Sequence, residues 1–150
     1  VPLIINDNVK LEKEIDADGV HLGQDDLDIK AAREYLGANK IIGVSAHNVK
    51  EALEAENGGA DYLGSGAAFV TSTKTDAGAI DHKVLSDVAH SVKIPVVAIG
   101  GINKDNISQL EGLGLDGVAV VSAIFAADDI LSAVIDLKAK AEKVAESSVK

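Results

Sequence analysis

Ala17-Asp18-Gly19-Val20-His21-Leu22-Gly23-Gln24-Asp25-Asp26 shows in ten residues the plan on which the chain is built. A short apolar run follows Ala-Asp-Gly and ends in small and polar residues suited to holding a charged ligand. The plan recurs along the chain. Leu3-Ile4-Ile5 runs into Asn6-Asp7, and Ile41-Ile42-Gly43-Val44 into Ser45-Ala46-His47. Tyr62-Leu63 leads through Gly64-Ser65-Gly66 to Thr71-Ser72-Thr73-Lys74. Val96-Val97-Ala98-Ile99 stops at Gly100-Gly101, and Val118-Ala119-Val120-Val121 at Ser122. Read as parallel strands, these six runs gather their polar ends on one face of a sheet, where α/β proteins place their chemistry.

The strand starts come in two alternating kinds. Ala17-Asp18-Gly19-Val20, Ala60-Asp61-Tyr62-Leu63 and Leu115-Asp116-Gly117-Val118 share one pattern; Val1-Pro2-Leu3-Ile4, Lys40-Ile41-Ile42 and Lys93-Ile94-Pro95-Val96 share the other. This is an internal repeat of two units, and a (βα)8 barrel has such alternation because its interior layers draw on alternate strands. Helical stretches are expected at roughly 8–16, 28–37, 48–58, 82–92, 103–112 and 127–146. Val49, Ala52, Leu53 and Ala55 form an apolar stripe in the third; Ile130, Leu131, Val134, Ile135 and Leu137 form a broader one in the last. The tail from Lys138 to Lys150 is expected to fray.

Composition supports one α/β domain over residues 1–150, with 47% apolar residues but only 3% aromatic ones. Such a core is built from Ala, Val, Ile and Leu, as in a parallel sheet covered by helices. No apolar run approaches the ~20 residues that cross a membrane, and no signal-peptide pattern is present. The absence of cysteine excludes disulfides and thiolate metal sites and fits a cytoplasmic protein. A net charge of −10 argues against nucleic acid as a partner. A phosphorylated small molecule would need backbone N–H groups, a few placed lysines or a divalent cation.

The expected fold is therefore α/β of the TIM (βα)8-barrel type with only six βα units, either open or completed by oligomerisation. An open sheet would leave two apolar edges, which predicts a homo-oligomer or swapped assembly. The chain contains no methionine, even at position 1, and starts inside an apolar run; this is read as truncation or engineering.

Each motif has two readings. The segment from Gly64 to Lys74 offers hydroxyls, an ammonium and close backbone approach to a phosphate, or else is a solvated turn. Gly100-Gly101-Ile102 and Ser122-Ala123-Ile124 together resemble a phosphate cradle, or else are a tight turn and a helix cap. Asp7 and Asp26 follow adjacent strands and suit one Mg²⁺, or else cap the helices starting near Val9 and near Leu27 or Asp28. His21 alternates with Val20 and Leu22 and is read as a hydrogen-bonded core histidine. His47 is a weak acid–base candidate, and His82 and His90 are read as solvated.

In this order, Ile4-Ile5-Asn6-Asp7, Ala17–Asp26, Gly43-Val44-Ser45-Ala46-His47, Gly59–Gly64, Thr71-Ser72-Thr73-Lys74, Ile99-Gly100-Gly101-Ile102 and Asp116–Ile124 closely resemble the thiamine-phosphate synthase family. The resemblance implies a (βα)8 barrel that joins hydroxymethylpyrimidine diphosphate to thiazole phosphate and releases diphosphate with Mg²⁺ as cofactor. It implies Mg²⁺ ligation by Asp7 and Asp26, contacts of Asn6, Ser45 and Lys74 with the pyrimidine diphosphate, and catalytic roles for Lys74 and Ser45. Thr71, Thr73, Gly101, Val121 and Ser122 would hold the thiazole phosphate.

The sequence departs from the family in lacking its first two βα units with their Gln-Leu-Arg-x-Lys segment. It also carries Val70 where a proline is usual, Gly66-Ala67-Ala68 in place of Gly-Pro-Ile, and a more charged helix at 8–16. The alternative is a truncated or engineered barrel scaffold that binds phosphate without catalysis. A related thiazole tautomerase is a third reading, against which Thr71, Thr73 and Lys74 stand.

Overall fold

The alternating strand starts have a physical cause. A computed structural model describes residues 1–69 and 81–148. Six parallel strands, β1 (Ile4–Asn6), β2 (Gly19–Leu22), β3 (Ile41–Ala46), β4 (Tyr62–Ser65), β5 (Val96–Ile99) and β6 (Gly117–Ala119), lie side by side in chain order. Before β2, Asp18 accepts the Leu3 N–H at 2.7 Å; before β4, Asp61 accepts the Ile42 N–H at 2.7 Å; before β6, Asp116 accepts the Val96 N–H at 2.8 Å. Each aspartate's own N–H returns a bond to the carbonyl of the same residue, at 3.0, 2.8 and 2.8 Å. The repeating unit is thus a pair of strands, latched at its start by one carboxylate.

The connecting helices are α1 (Val9–Ile15), α2 (Ile29–Leu36), α3 (Val49–Gly58), α4 (His82–Ser91), α5 (Ser122–Phe125) and α6 (Ile130–Glu146). Side chains of Asn8, Asp28, Asn48, Asp81 and Asp129 accept first-turn N–H groups of α1, α2, α3, α4 and α6. Register then divides the strand residues. Val20 pairs with Ile42, Val44 with Leu63, and Leu63 with Val96, and all of these side chains are buried beneath the helices. The opposite face carries Asn6, His21, Gly43, Ser45, Tyr62, Gly64, Val97 and Ile99. That face is more open, with Ile99 at 42% exposure.

The architecture is α/β with a six-stranded parallel half-barrel sheet. Among the described residues β1 pairs with β2 alone and β6 with β5 alone, so both outer strands are edges. No helix among them is long and apolar enough to cross a membrane.

Three local expectations are corrected. In place of a helix at 103–112 there is a 3₁₀ turn at Ile107–Leu110. Asn103 and Asn106 hold the approach to it in side-chain turns: Asn106 Oδ1 accepts the Asn103 N–H at 2.8 Å, and Asn103 Oδ1 accepts the Asp105 N–H at 2.9 Å. The stripe of α6 is Leu137, Ala141 and Val144, which pack on the core, whereas Leu131 and Ile135 are 70% and 62% exposed. For the same reason the tail does not fray at Lys138. Val144 is buried, Lys140 Nζ donates to the Lys104 carbonyl at 2.8 Å, and the Gly112 N–H donates to Ser147 Oγ at 2.9 Å.

Candidate functional site

At the β1 exit the chain turns sharply. Asp7 has the left-handed φ of 63°, a conformation that aspartate tolerates better than most residues, and its N–H donates to the His21 carbonyl at 2.8 Å. Its carboxylate accepts from Asn6 Nδ2 at 2.7 Å. At the neighbouring exit Asp26 folds back over Gly23 and accepts that residue's N–H at 2.7 Å. Both carboxylates are exposed, and neither is the cap of its helix, since Asn8 and Asp28 fill those roles. The capping alternative for Asp7 and Asp26 is thereby removed.

This donor set fits a hard cation. Mg²⁺ takes oxygen ligands, commonly one or two carboxylates with waters and substrate phosphates completing the shell. No cluster of three or more His, Cys, Asp or Glu side chains suited to a metal occurs among the described residues, so a dedicated protein cage is not what these exits offer. Asp26 and Gln24 also border a cleft of about 420 Å³ between the start of α2 and α3.

Ser45, on β3, is half-buried on the open face. Its backbone carbonyl accepts from Gln24 Nε2 at 2.5 Å, and its hydroxyl lies 3.0 Å from His21 Nε2. His21 Nδ1 in turn is 2.9 Å from the Tyr62 hydroxyl. His21 is hydrogen-bonded as expected, but it stands half-buried on the open face rather than in the core. Burial holds its pKa below the ordinary imidazole value, against an opposing pull from the Asp26 charge, and burial raises that of Tyr62. His47 is tied instead to the start of α3, where its N–H and Nδ1 both meet Glu51 Oε2, at 2.8 and 3.0 Å. His82 stands edge-on to Phe69, with ring centroids 5.2 Å apart, and His90 Nδ1 lies 2.8 Å from the Ser86 carbonyl.

At the far exits Gly100 and Gly101 have φ of 99° and 67°, left-handed values that favour glycine. The Gly101 carbonyl accepts from Asn106 Nδ2 at 2.9 Å, fixing the plane of the peptide it shares with Ile102. Val121 and Ser122 are exposed at the first turn of α5, and Ser122 also borders a cavity of about 500 Å³ under α6. Ser122 is the first residue of α5 rather than its capping side chain. The Ala68 and Phe69 N–H groups donate to the carbonyls of Ile99 and Gly100 at 2.8 and 3.0 Å, so the chain leaving β4 runs beside the glycine turn. Val70, Thr71, Thr73 and Lys74 lie outside the described residues.

Asn6 and Ser45 thus lie in the last residues of β1 and β3, Asp7 and Asp26 come after β1 and β2, and Gly101, Val121 and Ser122 follow the last two strands, all on one edge of the sheet. Sequence reasoning missed Gln24, Tyr62 and Asn106. Their signal is faint, since each acts through a hydrogen bond to a residue distant in the chain or to a backbone carbonyl.

A parallel βα sheet with polar groups concentrated at its strand exits defines a class of α/β proteins that bind ligands there. The chain belongs to the thiamine monophosphate synthase family, whose sequence model matches residues 1–124. It is 54% identical over 130 residues to the thiamine-phosphate synthase of Clostridium acetobutylicum, covering 87% of this chain and 62% of that protein. Identity to the thiamine-phosphate synthase of Chloroflexus aurantiacus is 53% over 140 residues, covering 93% of this chain and 64% of that protein. The solved thiamine phosphate pyrophosphorylase of Pyrococcus furiosus superposes with a TM-score of 0.85 at 47% identity, over 94% of this chain and 67% of its own. The chain therefore spans a little under two thirds of the length of these curated relatives.

Proposed function

We propose that the chain carries the thiamine-phosphate synthase reaction, joining hydroxymethylpyrimidine diphosphate to thiazole phosphate with release of diphosphate. The observation that carries this reading is the division of one sheet edge into a carboxylate–amide–hydroxyl half (Asn6, Asp7, Asp26, Ser45) and a glycine–serine half (Gly101, Val121, Ser122). The first half suits a diphosphate and the second a monophosphate. The names of relatives about half identical over most of the chain support it.

In the reaction the C–O bond between the pyrimidine methylene and its diphosphate breaks, and the electron pair leaves with the diphosphate oxygen. The thiazole nitrogen supplies the pair for the new C–N bond. No protein nucleophile is needed. A bound Mg²⁺, which Asp7 and Asp26 would hold, supplies positive charge at the departing diphosphate. Asn6, Ser45 and Lys74 contact the same group, with Lys74 and Ser45 stabilising the charge that develops on it. Thr71, Thr73, Gly101, Val121 and Ser122 anchor the thiazole phosphate, so both reactants are held side by side.

The assay is product formation from both substrates with Mg²⁺. Turnover lost on chelation and in Asp26→Ala supports the reading; no product at high protein concentration refutes catalysis. Phosphate binding without turnover is the other outcome the assay can return. Calorimetry with inorganic phosphate separates the two. The two sheet edges support a finer structural proposal, that they are covered by further βα units or by a second copy. Assembly with a second copy predicts a dimer in light scattering, and a clean monomer counts against it.

A further inference from the structure

We propose that Tyr62, His21 and Ser45 form a one-way hydrogen-bond relay that turns the Ser45 hydroxyl proton outward, as a donor to a phosphate oxygen of the bound diphosphate. His21 and Tyr62 are then positioning residues. The inference rests on the assignment of Ser45 to the diphosphate half of the site and adds what makes that hydroxyl effective.

The relay crosses three strands: Tyr62 Oη to His21 Nδ1 is 2.9 Å, and His21 Nε2 to Ser45 Oγ is 3.0 Å. Two glycines make room for it on the open face. A Cβ at Gly43 would overlap the Tyr62 ring, and one at Gly64 would press on His21 Cε1. Gln24 fixes the Ser45 backbone from the same strand connection that carries Asp26. The arrangement is built into the sheet.

A neutral imidazole has one N–H and one acceptor nitrogen, so only two arrangements exist. With the proton on Nδ1, His21 donates to Tyr62, and Ser45 must spend its proton on Nε2. The half-buried phenol then has an O–H with no acceptor among the described residues, and Ser45 presents only lone pairs to an anion. With the proton on Nε2, Tyr62 donates to Nδ1, Nε2–H donates to Ser45, and the serine O–H is left to point at the ligand. Leaving a partly buried donor unsatisfied is costly, whereas the second arrangement satisfies every group and aims a donor at negative charge.

The test uses the whole chain labelled with ¹⁵N-histidine, with His21 assigned by the resonances that vanish in His21→Gln. Long-range ¹H–¹⁵N spectra near neutral pH are expected to show His21 as the Nε2–H tautomer; the Nδ1–H tautomer overturns the relay. Affinity for inorganic diphosphate with Mg²⁺, by calorimetry, is expected to fall about threefold to tenfold in Tyr62→Phe, which keeps the ring and removes the donor. In a Ser45→Ala background the same change is expected to have no further effect. An equal loss in both backgrounds means a structural role for Tyr62 and overturns the relay. His21→Gln, which keeps a donor and an acceptor, is expected to retain more affinity than His21→Leu, and the reverse order also counts against it. If the unsubstituted chain binds no diphosphate, the functional assignment of Ser45 fails, and with it the relay's target. If it binds and Tyr62→Phe binds equally well, the relay alone fails.

Discussion

The two edges of the sheet use the same residue type for opposite purposes. At the strand starts, Asp18, Asp61 and Asp116 are spent on backbone: each receives a strand N–H within 2.8 Å. Asp61 is also bound by Arg33 at 2.6 Å, and Arg33 further donates to the carbonyls of Gly37, Lys40 and Gly59. Nearby, Glu12 is wholly buried 3.5 Å from Lys40, which also reaches Asp16 and the Ala17 carbonyl. At the strand ends, Asp7 accepts from Asn6 Nδ2, Asp26 accepts the Gly23 N–H, and both remain exposed. A carboxylate that closes the backbone stabilises the fold; one left at the surface of the exit edge is available to a ligand.

Substitutions along the sheet put this contrast to the test. The largest effect is expected from Asp26→Asn, which keeps an oxygen for the Gly23 N–H but removes the charge. Turnover should fall by about a hundredfold to a thousandfold, the scale of losing one group that stabilises developing charge. Its unfolding free energy in urea should stay within about 0.5 kcal/mol of the parent. Equal losses of stability and activity would erase the distinction between the edges.

Asp61→Ala should behave in the opposite way. It orphans the N–H of Ile42, a fully buried residue, and releases Arg33, for an expected destabilisation of about 2–3 kcal/mol in urea unfolding. A value near zero would show that the strand-start latch is decorative. Gly43→Ala, on the open face between the edges, forces the Tyr62 ring to move and should cost about 1–3 kcal/mol of stability, measurable as a lowered melting temperature.

The smallest effect is pH-dependent. The Lys40 ammonium beside Asp16 holds that carboxyl below its ordinary pKa of 3.8. The folded chain therefore binds this proton less readily than the unfolded chain. The contribution is complete above 3.8 and is lost as pH falls through the lowered folded value. Asp16→Asn should therefore differ from the parent at neutral pH and converge with it under acid, with a small difference because Asp16 is fully exposed. A gap that widens on acidification would reverse the sign and refute the pairing.

Much of this was legible along the chain. Short Val- and Ile-rich runs between polar clusters gave every strand, because burial on the helix face demands apolar side chains and a parallel sheet demands crossovers. The starts at Ala17-Asp18-Gly19, Ala60-Asp61-Tyr62 and Leu115-Asp116-Gly117 mark the two-strand repeat, and the aspartate bonds give it its physical basis. Helix composition was less informative. The Ile130–Ile135 segment reads more apolar than Leu137–Val144, yet it is Leu137 and Val144 that are buried in the core, since apolar content does not say which side of a helix finds a neighbour. Residues 103–112 read as a helix because side-chain turns by asparagine compete with helical hydrogen bonds in a way hydrophobic pattern does not register.

The sequence by itself determined the parallel α/β architecture and the edge where polar strand ends gather, since strand direction and polar termination are local properties of the chain. Tertiary packing settles which aspartates tie the backbone of a neighbouring strand and which stand exposed at the exit edge, because that depends on whether a neighbouring strand's N–H lies within reach. It also decided that His21, Ser45 and Tyr62, from β2, β3 and β4, share one hydrogen-bonded chain. Their meeting is set by strand register and by the space above Gly43 and Gly64, and no spacing along the sequence encodes it.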